Sequence, residues 1–523
     1  MLKIAISQIN PVFGDLKYNS EKIIHFINKA KETDADIVLF GEMSLVGYPP
    51  NDILFKSDFL EKNFNYLEKI KNYTKDILVL IGFINKDKNG IYNSGAVLHN
   101  RKILNIYNKN FISNESEKKY FSKGDRLYFY KIKGYDIAIG FLEDIINFHN
   151  LYKRSDLIIN LCNIPFTVGK LNSFIKDLED LSKRINSFII NCNLVGFFDG
   201  ILLDGFSCVF SPKNGLIYHL KRFSEDFGIF NLDLNSSYNQ IDYKIYDIEE
   251  LYNALCFSIR DYVYKNGFKK VIVGLSGGID SAVVCSLATF SLGKNNVFAL
   301  IMPSRFTLPL SIRDAKKICK NLGIKYTIIN IEKIFKSYLS LLKLDISNMD
   351  ETIENIQARI RANLLMAFSN KFKYLVLNTS NKSEISCGYS TLYGDSIGAL
   401  SVLGDVLKTD IYRLADYINK DKEIIPESVI KRAPSAELRF NQKDTDKLPD
   451  YSVLDPILKL YLIDNFTYKD IIKKGYKDKI VKKVIDMVYK SEYKRRQLPI
   501  SIKVSNKTFN MDVMLPITNR FKF

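Results

Sequence analysis

The string Val271-Ile272-Val273-Gly274-Leu275-Ser276-Gly277-Gly278-Ile279-Asp280-Ser281 constrains this chain more than any other stretch. It reads as an apolar strand, a glycine turn and the start of a helix. Glycines at 277 and 278 let the backbone curl until successive N–H groups point at one anion. The helix N-terminus adds partial positive charge, and the hydroxyls of Ser276 and Ser281 are further donors. Asp280, in the same turn, is placed to hold Mg²⁺ on bound phosphates. No lysine follows the glycines, so this is not a Walker A loop. The plain alternative is a Gly-Gly turn capped by Ser and Asp, which any α/β protein can carry.

The surroundings suit a ligand-binding turn. Apolar periodicity predicts a helix over 248–265 before a strand at 270–275, then helix 281–292 and strand 297–302, then helix 311–322 and strand 325–331. Such a rhythm implies a doubly wound parallel sheet with its ligand at the carboxyl ends of the strands. All four histidines (His25, His99, His149, His219) come earlier in the chain. The second half therefore has to work with phosphate contacts, metal and carboxylates. In the first half, strands are expected at 2–9, 36–40, 77–84, 95–98, 137–142, 157–161, 188–191 and 208–210, with a helix over 19–30, which suggests a layered sandwich. A chain of 523 residues exceeds one ordinary core. The polar stretch 234–240 reads as a linker, giving domains 1–237 and 246–523.

Composition excludes several classes. No apolar run reaches the ~18 residues needed to span a membrane, and the N-terminus reads as a buried strand, not a signal peptide. Seven cysteines without CxxC pairs suggest reduced thiols in a cytoplasm and no structural zinc site. The net charge of +17 is spread along the chain, with Lys494-Arg495-Arg496 its densest short cluster. Heavy use of Lys, Asn and Ile with no Trp reads as compositional drift, so the charge favours anionic ligands in general and not nucleic acid.

The Ser-Gly-Gly-x-Asp-Ser string after an apolar strand resembles the pyrophosphatase loop of the ATP pyrophosphatases. Further strings follow in order: Glu354-Asn355-Ile356-Gln357-Ala358-Arg359-Ile360-Arg361, Asn378-Thr379-Ser380-Asn381-Lys382-Ser383-Glu384, Gly388-Tyr389-Ser390-Thr391-Leu392-Tyr393-Gly394-Asp395, Lys408-Thr409-Asp410, Lys431-Arg432-Ala433-Pro434-Ser435-Ala436-Glu437-Leu438 and Lys494-Arg495-Arg496-Gln497. In order and spacing the series resembles the glutamine-dependent NAD synthetases, across both domains. The resemblance implies an α/β protein with a nitrilase-like αββα sandwich ahead of a synthetase domain of the adenine nucleotide α-hydrolase-like type. It implies ATP binding by Gly274, Leu275, Ser276, Gly277, Gly278, Ile279, Asp280, Ser281 and Thr379, with Lys408 and Ser435 on the phosphates. Mg²⁺ falls to Asp280 and Glu384, and deamido-NAD to Asn355, Glu384 and Lys494. A homo-oligomer is implied as well.

In that family the first domain hydrolyses glutamine with a Glu-Lys-Cys triad and passes ammonia to the synthetase. Glu42 matches the base and Lys109 the lysine. The nucleophile belongs in a Cys-Glu-Asp string, but this chain reads Gly140-Phe141-Leu142-Glu143-Asp144. Leucine has no nucleophilic atom, so thioester chemistry cannot run at Leu142. No cysteine precedes Cys162, which begins a glutamine-side loop and reads as a buried, inert thiol. Ile164 replaces a small polar residue of that loop, the stretch after Lys109 is shortened, and Lys170 survives as a pocket remnant. These departures point to an NAD synthetase fed by free ammonia. The alternatives are glutamine use through an unorthodox nucleophile or a partner glutaminase, and a decayed, non-catalytic chain.

Overall fold

In the strand Leu2–Gln8, Ile4 and Ile6 enter one core and Ala5 another, and this period of two organises the first half of the chain. The computed structural model describes residues 1–113 and 115–521, which divide into units Met1–Ile245 and Tyr246–Phe523.

The first unit holds two six-stranded sheets. One runs, edge to edge, Asp226–Leu232, Leu2–Gln8, Ile37–Phe40, Leu78–Lys86, Ile91–His99 and Lys102–Asn108. The other runs Gly215–His219, Cys208–Ser211, Phe188–Asn193, Leu157–Cys162, Tyr135–Gly140 and Tyr128–Ile132. In each, three central strands are parallel and the flanking ones antiparallel. Ile4, Ile6, Ile37 and Leu39 meet Ile137, Ile139, Ile159 and Ile190 in a core between the sheets. The alternate residues Ala5, Val38 and Phe40 pack under helices Leu16–Glu32 and Ser57–Lys71 through Ile23, Ile27, Leu60 and Leu67. Ala138, Ile158 and Ile189 do the same under helix Leu171–Ile185 through Leu178, Leu181 and Ile185. The result is a four-layer αββα sandwich of the nitrilase type.

Among the differences from the sequence reading are two in this unit. The strand expected at 137–142 ends at Gly140, because Phe141 caps a short helix, Leu142–Asn147, whose first turn carries Glu143 and Asp144. The polar stretch 234–240 does not leave the unit: Tyr238 packs on the inter-sheet core, and Ile241, Tyr243 and Ile245 on the outer one.

The second unit is a six-stranded, all-parallel sheet in the order Lys325–Ile328, Val297–Ile301, Val271–Gly274, Leu375–Asn378, Leu400–Ser401, Ile500–Ser501. Ile272, Leu300 and Val376 pack with Phe335, Ile353 and Ile360 on one face. Helix Ile279–Leu292 has nearly all its side chains buried, as its run Ala282-Val283-Val284-Cys285 requires. A separate helical core gathers Ile385, Leu454, Ile457, Val481, Val484, Ile485 and Val488. Among the described residues no helix is long and apolar enough to cross a membrane.

Candidate functional site

The glycine turn lies where strand Val271–Gly274 gives way to helix Ile279–Leu292. Gly277 takes a φ of +86°, and a Cβ there would stand 2.2 Å from the Ser311 carbonyl oxygen, so no other residue fits. Ser276 and Ser281 brace the turn. The Ser281 hydroxyl accepts from Ser276 N at 3.2 Å and donates to the Gly278 carbonyl at 3.1 Å, while Ser276 Oγ accepts from Gly278 N at 3.1 Å. Arg432 Nη2 donates to the Gly277 carbonyl at 2.6 Å, and its guanidinium lies 3.7 Å from Asp314.

Asp280 follows in the first helical turn. Its Oδ1 accepts from Asn381 Nδ2 at 2.9 Å, and its Oδ2 meets Lys408 Nζ at 2.5 Å. Glu384 sits in the first turn of helix Lys382–Cys387, whose N-cap Asn381 accepts from Glu384 N. Its Oε1 lies 3.2 Å from the same Lys408 Nζ. Residues 280, 384 and 408 are therefore brought together at the carboxyl ends of neighbouring strands. Burial pushes the Glu384 carboxyl up to about 8, against the pull of Lys408. For Lys408, buried to 1% exposure, burial opposes the charge, but Asp280 and Glu384 outweigh it and hold the ammonium above the usual lysine value.

A second group forms beside helix Glu351–Phe372. Asn355 Oδ1 accepts from the Thr391 hydroxyl at 2.6 Å, and Thr391 N donates to Asp395 Oδ1 at 2.6 Å. Lys494 Nζ donates to the carbonyls of Gly388 and Ser390 at 2.8 and 2.7 Å. Burial pushes the Asp395 carboxyl up to about 6 and the Lys494 ammonium down, each against the other's charge. Thr379, half-buried, follows strand Leu375–Asn378, and Ser435 Oγ accepts from Glu437 N within its own loop. Sequence reasoning had assigned no role to Asn381, Asp395 or Arg432. Asn381 had a signal, an N-cap type three residues before a glutamate.

In the first unit Lys109 follows strand Lys102–Asn108 and is 2% exposed. Its Nζ lies 3.3 Å from carboxylate oxygens of Glu42, Glu117 and Glu143. Asn93 Nδ2 also donates to Glu42. Burial pushes the Glu42 carboxyl up to about 7; Lys109 opposes this, and Glu117 and Glu143 reinforce it. Leu142 opens helix Leu142–Asn147 and packs its side chain against the outer core of Ala138, Ile145 and Tyr152. Cys162 Sγ donates to Asn191 Oδ1 at 3.0 Å, is 3% exposed, and has its thiol pushed well up by burial. Lys170 is exposed at the start of helix Leu171–Ile185, by a shallow cavity that Ile164, Asp204 and Arg222 also line. Glu117, eight residues past Lys109, was missed; nothing in its local sequence marks it.

The raised Glu42 value carries a stability consequence. The folded chain keeps a proton that the unfolded chain loses near 4.5. The stability this group contributes is complete below about 4.5 and is lost as pH rises through about 7. Glu42→Gln, with no proton to lose, is expected to gain on the parent in thermal midpoint between pH 5 and 8. Parallel melting curves of the two proteins across that range would refute the assignment.

Residues 3–241 match the family model described as carbon-nitrogen hydrolase, and residues 251–498 that described as NAD synthase. The chain is 39% identical to the glutamine-dependent NAD(+) synthetase of Aquifex aeolicus, with 100% of each chain covered. It is also 39% identical to that of Thermotoga maritima, covering 100% of this chain and 99% of the relative. Among solved structures it is similar to the glutamine-dependent NAD+ synthetase of Acinetobacter baumannii in complex with adenosine diphosphate. That match has a TM-score of 0.79 and 36% identity, covering 99% and 98% of the two chains.

Proposed function

This chain belongs to the glutamine-dependent NAD(+) synthetase family, and from that premise we propose that it makes NAD from deamido-NAD, ATP and free ammonia. The observation that carries the synthetase reading is the meeting of Asp280 and Glu384 on Lys408 beside the phosphate loop. The nicotinate carboxylate attacks the α-phosphorus of ATP and pyrophosphate leaves. Ammonia then attacks the activated carbonyl, AMP leaves, and the surplus proton on nitrogen passes to solvent. The loop and the helix N-terminus that follows it hold the phosphates, and the Lys408 ammonium offsets the charge that builds on the departing oxygen. Similarity to a relative solved with adenosine diphosphate supports adenine nucleotide binding by this chain.

Mg²⁺ fits the residues present. Among the described residues no three carboxylate, histidine or cysteine side chains converge enough to cage an ion. Asp280 and Glu384 both reach the Lys408 nitrogen, and Mg²⁺ commonly takes one or two carboxylates and completes its shell with phosphate oxygens and water. Asp280 and Glu384 would hold it, and when bound it would supply neutralisation of the leaving pyrophosphate. Asn355, Glu384 and Lys494 are assigned to deamido-NAD, and Thr379 and Ser435 to ATP. A homo-oligomer in the cytoplasm completes the reading; sedimentation tests its first half.

The experiment is NAD formation from deamido-NAD and ATP, with ammonium or glutamine supplied separately. AMP and pyrophosphate are expected in equal amounts with NAD. Release of ADP and phosphate instead would show that the carboxylate is not adenylated.

A further inference from the structure

Helix Tyr451–Leu458 lies outside every motif so far given a role, yet it touches the site at two points one turn apart. Residues at i and i+4 share a helix face, so Tyr451 and Asp455 point the same way. The Tyr451 ring lies against the Lys408 ammonium, with Nζ 5.3 Å from the ring centroid. The Tyr451 hydroxyl donates to Asp444 Oδ2 at 2.9 Å, which fixes the ring's tilt, and Asp444 N donates to the Pro434 carbonyl, next to Ser435.

Asp455, 1% exposed, works at the other end of the lysine. Its Oδ1 accepts from the Ser383 hydroxyl at 2.5 Å and its Oδ2 from Thr409 N at 2.8 Å. Ser383 Oγ in turn accepts from Lys408 N at 2.9 Å. Ser383 precedes Glu384 and Thr409 follows Lys408. One carboxylate thus ties together the backbone neighbours of both charged groups and sets how far apart they stand.

We propose that Tyr451 and Asp455 are positioning residues for Lys408, the ring fixing its head and the carboxylate its root. A free lysine side chain has large rotamer freedom, and an ammonium that must meet charge only in the transition state gains by being held in place beforehand. Misplacement by about 1 Å is enough to cost on the order of 10²-fold in rate. The inference rests on the adenylating role assigned to this site. Tyr451 and Asp455 belong to helical packing as well, so loss of activity alone would not distinguish positioning from general loosening.

A double-mutant cycle does distinguish them. NAD formation is measured at saturating ammonium for Tyr451→Leu, Asp455→Ala and Lys408→Met, singly and combined, with thermal melts alongside. Each of the first two is expected to lower kcat roughly 10- to 100-fold with KM for ATP within about threefold. Combined with Lys408→Met, each should add less than about twofold, because the group they position is gone. Tyr451→Phe, which keeps the ring, should retain at least about tenfold more kcat than Tyr451→Leu. If the leucine or alanine variant fails to fold, the same cycle is run with Tyr451→Met and Asp455→Asn. Losses that multiply with that of Lys408→Met, or ring-removing and Asp455 variants within threefold of the parent, overturn the proposal. A parent chain that makes no NAD would overturn the underlying function instead.

Discussion

Asp280→Ala and Glu384→Ala are each expected to abolish NAD formation, a loss on the order of 10³-fold or more, while the fold survives. Adenylation brings the phosphates of ATP against a carboxylate, and the leaving pyrophosphate gathers further charge. Asp280 and Glu384 both meet Lys408, and on the proposed reading the same two carboxylates would hold Mg²⁺. Losing either would then remove half of the protein's hold on the ion, and each variant still leaves Lys408 one partner. That remaining partner is why folding should persist, since a buried charge with no partner at all is what destabilises severely. Excess chelator should silence the parent to the same extent. Circular dichroism and melting curves establish that the variants fold, and product analysis reads the loss. Normal turnover in either variant would remove that residue from the metal site.

The phosphate loop was legible because its chemistry is local. Gly277 needs a positive φ and no Cβ, Asp280 must begin the helix, and eleven consecutive residues carry both demands. Strands with unbroken apolar runs, such as Ile37–Phe40 and Val271–Gly274, were legible for the same reason. Strand Lys102–Asn108 was not, because its residues are half-exposed and its pattern is broken by Asn105. Leu400–Ser401 and Ile500–Ser501 are two residues each and exist only as additions to a sheet edge. The partners of Lys408 separate along the same line. Glu384 lay in a motif string, whereas Asp455 and Tyr451 reach the site through tertiary contacts and have ordinary helical surroundings in sequence. Leu142 is expected at the end of a strand and instead opens a helix, because a run of apolar residues does not mark where strand turns to helix.

The largest effect expected concerns nitrogen. Removing a catalytic nucleophile typically costs on the order of 10⁶ in rate even when the rest of a site stays. Here Lys109 remains buried among Glu42, Glu117 and Glu143, while on the proposed reading Leu142 stands in the chain where the nucleophile belongs. Leu142 turns its side chain into the outer core, so nothing at that position can form a thioester. Cys162 is a poor substitute, since its thiol is buried, donates to Asn191, and has its ionisation suppressed by burial. Glutamine hydrolysis is therefore expected at background while ammonium supports synthesis. Ammonia attacks as the neutral base, so the rate at fixed total ammonium should climb with pH until another step limits. Leu142→Cys alone should recover little, because the shortened stretch after Lys109 and the apolar Ile164 also deprive glutamine of contacts. The measurement is glutamate release and NAD formation with glutamine as sole donor in ammonia-free buffer. Glutamate release coupled to NAD at enzymatic rates would sink this reading, and its disappearance in Cys162→Ser would then name the replacement nucleophile.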